Sequence, residues 1–110
     1  MKKFKSKSID LTLVIEGSSG EEKTYLPKEK ATAAFSRKTV ELANKFIEAE
    51  ESKDKEAKMS PLDIYLKQLS FVYDDLDEEW LILNQTVGEI RDMVTIVFEE
   101  LTGIKKGSKS

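Results

Sequence analysis

Hydrophobic and polar residues alternate near the start of the chain, where Ile9, Leu11, Leu13 and Ile15 take every second position. That is the period of a strand with one face on a core. Gly17-Ser18-Ser19-Gly20 follows, and then Lys23 to Leu26 forms a second short run in which Thr24 and Tyr25 suit a pleated surface. The two runs predict a β-hairpin over 9–26, ended by Pro27, which cannot donate to a ladder. From about Glu29 the period lengthens. Ala31, Phe35, Leu42, Phe46 and Ala49 form one stripe, widened by Ala34, Ala43 and Ile47, which predicts an amphipathic helix over about 29–50. Acids and lysines alternate from Glu50 to Lys58 without a large apolar side chain, the pattern of a solvated linker.

Ser60-Pro61-Leu62-Asp63 is a helix start: a serine N-cap, a proline at the first helical position where its missing N–H is harmless, and an acid near the positive end of the helix dipole. Leu62, Tyr65, Leu66, Leu69, Val72 and Tyr73 supply the buried face of a helix over 61–73, and Asp74-Asp75-Leu76-Asp77 ends it. In the last segment Trp80, Leu83, Val87, Ile90, Val94, Val97 and Leu101 recur in steps of three and four, the spacing of a bundle or coiled-coil seam. A single helix over 78–102 is the expectation, with Asp77 as N-cap and Thr102-Gly103 as stop. Gly88 inside that span, and Thr86 with Glu89 as a capping box, keep a break near Asn84 to Val87 open. Leu81, Ile82, Met93, Ile96 and Phe98 make this helix apolar around more than half its circumference, so it is either central in its own domain or shared with another chain. The second case makes Trp80, Ile90, Met93, Val94, Val97, Phe98 and Leu101 the candidate protein-binding residues.

The 110 residues fit one domain, an α+β fold with an N-terminal hairpin and three main helices over 9–103, flanked by basic tails at 1–8 and 104–110. Lys2, Lys3, Lys5 and Lys7 give the first tail a charge of +4, and Lys105, Lys106 and Lys109 give the last one +3, while the body carries all 21 acidic residues. An acidic body offers no positive face for phosphates, which argues against nucleic-acid binding except weakly through the tails. No apolar run is long enough for a signal sequence or a membrane span, and the expected location is the cytoplasm.

Cysteine and histidine are both absent. Disulfides, thiolate and imidazole zinc sites, and the nucleophile systems that need histidine as base are therefore excluded. Asp75, Asp77 and Glu79 alternate like the first ligands of an EF-hand loop, yet Trp80 stands where that loop needs glycine and Thr86 where it needs a bidentate acid. Paired acids at Glu21-Glu22, Glu50-Glu51 and Glu99-Glu100 lack the pocket that general acid–base chemistry requires. Asn84-Gln85-Thr86 matches a glycosylation sequon without a secretory signal. No catalytic, cofactor or metal residue is expected, and the chain reads as a protein that binds other proteins.

The order of elements resembles that of the tail assembly chaperones of long-tailed bacteriophages of Gram-positive hosts. The likeness covers most of the chain: the strand pair Ile9 to Ile15 and Glu22 to Leu26, a helix with Phe35, Leu42 and Phe46, an acidic break around Asp74 to Glu79, and a closing Val97-Phe98-Glu99-Glu100-Leu101-Thr102-Gly103. It is a likeness of layout and not of a signature motif. The resemblance implies a protein that coats the helical tape-measure protein, recruits tail-tube subunits, associates weakly with itself and works in the host cytoplasm, as the short member of a short and frameshift-extended pair. The competing expectation is a structural or regulatory homodimer joined through the 80–101 seam.

Overall fold

The computed structural model describes residues 2–4 and 9–104; the lysines at positions 5, 7, 105, 106 and 109 of the expected tails lie outside the described residues. The fold is α+β. Strands β1 (Leu13–Glu16) and β2 (Glu22–Tyr25) pair antiparallel, with Leu13 opposite Tyr25 and Glu16 opposite Glu22. The expected alternation holds: Leu11 and Ile15 are buried, Ile9 and Leu13 pack against the core, and Asp10, Thr12 and Val14 face out. Ile9 forms a separate antiparallel bridge with Ala31, which carries the sheet edge up to the first helix.

Four helices follow, one more than expected: α1 (Ala33–Glu51), α2 (Pro61–Ser70), α3 (Glu78–Asn84) and α4 (Val87–Thr102), with a 3-10 turn at Lys55–Ala57 between the first two. Helix α1 begins at Ala33 and not near Glu29, because Ala31 is held in the bridge and the Thr32 side chain accepts the Phe35 N–H as N-cap. Ser60 caps α2 by accepting the Asp63 N–H at 3.2 Å, with Pro61 at the first helical position. This helix stops at Ser70, and Val72 and Tyr73, read as its last turn, instead enter the core from the following turn. The Val72 carbonyl accepts the Lys28 N–H at 2.8 Å, and the Tyr73 hydroxyl donates to the Leu11 carbonyl at 2.7 Å. The first bond ties the hairpin exit, and the second the hairpin entry, to the turn that follows α2.

The buried face of α1 agrees with expectation at Phe35, Ala43, Phe46 and Ile47 and is corrected elsewhere. Ala34, Leu42 and Ala49 are exposed, while Phe35, Ser36, Thr39, Val40, Ala43, Phe46 and Ile47 turn inward to different depths. Helix α4 packs on α1 and α2. The small side chains of Ser36, Thr39 and Ala43 on the inward face of α1 leave room for a close neighbour, a role that hydrophobicity alone does not reveal. Glu50, read as part of a solvated linker, is only 4% exposed. Its carboxylate accepts from Lys53 Nζ at 2.5 Å and from the Met59 N–H at 2.9 Å, which folds the linker back on the end of α1 and aims the chain into α2. The lysine bond first, and the Met59 N–H second, hold this carboxyl below its ordinary pKa.

The expected single helix over 78–102 is broken. Gln85 is extended, and Thr86 and Glu89 form the reciprocal capping box that opens α4. Gly88 thus sits in a first turn, where its cost is smaller than in mid-helix. The break also joins the hairpin loop to the helices. Asn84 Oδ1 accepts from the Ser18 N–H at 2.8 Å and from its hydroxyl at 3.0 Å, and Gln85 Nε2 donates to the Glu16 carbonyl at 3.0 Å. A straight helix could not turn both side chains to the loop.

Candidate functional site

The core fixes which residues of the last two helices are free to meet a partner. Ile90, Val94, Val97 and Leu101 form one buried stripe of α4 with Leu66, Leu69, Tyr73 and Leu81 in the same apolar cluster. Four of the seven candidate binding residues thus lie in the core of one chain, the first of the two cases left open by the sequence, although Val94, at the edge of that core, also lines the groove described next. Trp80, Met93 and Phe98 are half-buried and pack on the edge of that cluster. The upper part of the supposed seam faces the other way: Leu83 and Val87 are exposed, and the residue that enters the core from α3 is Leu81. The reason is the break at Gln85, which rotates α3 relative to α4.

Phe98 leads to a groove. Val40, Ala43 and Asn44 of α1, Gln68 of α2, and Val94, Thr95, Phe98, Glu99 and Thr102 of α4 line an open hollow of about 320 Å³, with Ile104 at its end. The floor is apolar and the rim is polar, as in grooves that take an amphipathic helix. Ala43 is the smallest side chain on the floor and lets an incoming backbone approach. At the end of α4, Gly103 adopts φ 73°, the left-handed C-cap, and its N–H bonds the Glu99 carbonyl. That turn carries Ile104 back over the groove, with its N–H on Thr102 Oγ1 at 3.2 Å. The sequence placed Val94 on the seam of α4, Phe98 beside it and Ala43 on the widened stripe of α1, but Val40 and Asn44 were missed because they stand beside the apolar positions that drew attention.

Trp80 belongs to another surface. Asp77 caps α3 through the Trp80 N–H at 3.1 Å and pairs with Lys23 Nζ at 2.8 Å, while the Lys23 ammonium lies 5.1 Å from the Trp80 ring centroid. The lysine bond first, then the Trp80 N–H, holds the Asp77 carboxyl below its usual range; the same bond raises Lys23. Gly17 fits against this corner, since a Cβ there would lie 2.8 Å from Trp80 Cζ2 and 2.9 Å from Asn84 Oδ1.

Among the described residues no group of three or more acidic side chains converges as metal ligands would, and no helix is long and apolar enough to cross a membrane. Comparison of the chain with family models, with curated proteins and with solved structures gave no match. The groove between α1 and α4 combines an open apolar floor with a polar rim.

Proposed function

We propose that the protein is a non-enzymatic helix-binding protein that works as a phage tail assembly chaperone, coating the tape-measure protein and recruiting tail-tube subunits. The observation that carries the reading is the apolar floor of the α1/α4 groove, Val40, Ala43, Val94 and Phe98, left open by the domain's own packing. A tape-measure chain awaiting assembly presents apolar helix faces, and one such face laid in the groove would remove both apolar surfaces from water, at about 25 cal/mol for each Å² buried. Glu99 at the rim favours a client with basic flanks.

The homodimer joined through the 80–101 seam is disfavoured, because Ile90, Val94, Val97 and Leu101 already lie in the core of one chain. Light scattering coupled to size exclusion, with and without a co-expressed helical tape-measure segment, tests the proposal. Co-elution of several copies with the segment is expected, and its loss in Phe98→Asp. A fixed dimer indifferent to the segment would reject the chaperone reading.

A further inference from the structure

Five of the six residues from Asp74 to Glu79 are acidic, and among the described residues only Asp74 and Asp77 of these find a cation, Lys28 at 3.5 Å and Lys23 at 2.8 Å. Asp77, Glu79, Trp80 and Leu83 then border a shallow cleft of about 390 Å³. Its apolar wall is open to water, with Leu83 74% exposed. The corner already holds one lysine: Lys23 sits between the Asp77 carboxylate and the Trp80 ring, so the recognition chemistry of an ammonium beside an aromatic ring is present in the fold itself.

The complementary chemistry lies at the other end of the chain. Lys2, Lys3 and Phe4 are exposed, Phe4 at 88%, within an opening segment that carries four lysines and no acid. A phenyl ring preceded by two ammonium groups matches in shape and sign an apolar wall bordered by Glu79, which has no cation partner among the described residues, and by Asp77, which already holds Lys23.

We infer that the Lys2-Lys3-Phe4 segment of one copy docks in the Asp77/Glu79/Trp80/Leu83 cleft of a second copy, with Phe4 against Trp80 and Leu83 and the lysines toward Glu79 and its acidic neighbours. The two halves of this contact are different surfaces, so the interface is head-to-tail and, unless it closes into a ring, extends from copy to copy. So few residues bury far less than the roughly 1,600 Å² of a standard stable interface, so the association is weak and concentration-dependent. Its ionic part makes it weaker as salt rises. None of its residues lines the α1/α4 groove, and it stands or falls independently of the client proposed for that groove.

The test uses the full chain and two variants altered only at exposed positions, Lys3→Glu/Phe4→Ser in the segment and Glu79→Lys/Leu83→Ser in the cleft, each checked for unchanged circular dichroism. The unaltered chain should gain mass with concentration in light scattering and lose it at high salt. Each variant alone should stay monomeric. An equimolar mixture should recover a complex of two chains and no more, because each variant retains one intact half. A monomeric parent at every concentration would overturn the inference, as would continued association of either variant. No dimer on mixing would overturn it too, since the segment would then fill the cleft of its own chain or neither surface would be involved.

Discussion

Val97 and Phe98 are neighbours in sequence with different work to do, and substitution separates the two roles. Val97 is buried among Leu66, Leu69 and the rest of the core, so Val97→Asp places a charge without a partner inside the fold and should cost several kcal/mol, enough to unfold a domain of this size. Phe98 borders the groove and is half-buried; Phe98→Asp should leave a folded chain that no longer holds a helical client. Thermal melting together with client pull-down distinguishes the pair, and equal unfolding of both would remove Phe98 from the site. Tyr73 tests the core by a different route. Burial, with a smaller effect of the Asp10 charge, raises its hydroxyl to about 12 from the ordinary 10.0. The unfolded chain therefore ionises first, so this residue's contribution is intact below about pH 10 and is lost as pH rises from there through about 12. Absorbance titration should show a tyrosine ionisation near pH 12, together with alkaline unfolding, and Tyr73→Phe should remove that step.

At the scale of elements, the α3–α4 break rests on a capping box that gives α4 its first turn. Thr86→Ala removes half of it and should cost about 1 kcal/mol in chemical denaturation. Leu81→Ala, which empties a fully buried position of α3, should cost about 2–5 kcal/mol. Gly17→Ala brings a methyl group against Trp80 and should destabilise the docked hairpin by about 1–3 kcal/mol. Which elements were readable from sequence follows from how local their causes are. The strand alternation of Leu11 to Ile15, the Ser60-Pro61 start and the Gly103 stop are written within a few neighbouring residues, and each is found in the fold. The break at Gln85 was visible only as an alternative, because part of what favours it lies 66 and 69 residues away, at Ser18 and Glu16. The inward face of α1 was legible at Phe35, Ala43, Phe46 and Ile47 and hidden at Ser36, Thr39 and Glu50, which are polar by type and buried by position. Helix periodicity found Val94, and Phe98 stood out as apolar beyond the seam, but only tertiary packing could show that the apolar surface of α4 divides between a closed core and an open groove.

For the whole molecule, charge pairs add to the shared apolar core in joining its parts. Lys23 with Asp77 ties the hairpin to α3, and Glu50 with Lys53 and Met59 ties the linker to α1. Both carboxyls are held below their ordinary values, so their contribution is present above the unfolded carboxylate range and is lost as pH falls below it; raised Lys23 contributes below its unfolded value and is lost as pH climbs through the folded one. Stability should accordingly form a plateau around neutrality, and Glu50→Gln should flatten its acid limb while lowering the melting temperature at pH 7. The function proposed for this protein requires the groove to stay open while the core beneath it stays closed. The most direct measurement is a titration of isotope-labelled protein with an amphipathic helical segment of a tape-measure protein, followed by amide shifts. Shifts centred on Val40, Ala43, Val94, Phe98 and Ile104, lost in Phe98→Asp, are the predicted result; a titration that leaves these residues unmoved would contradict the proposal.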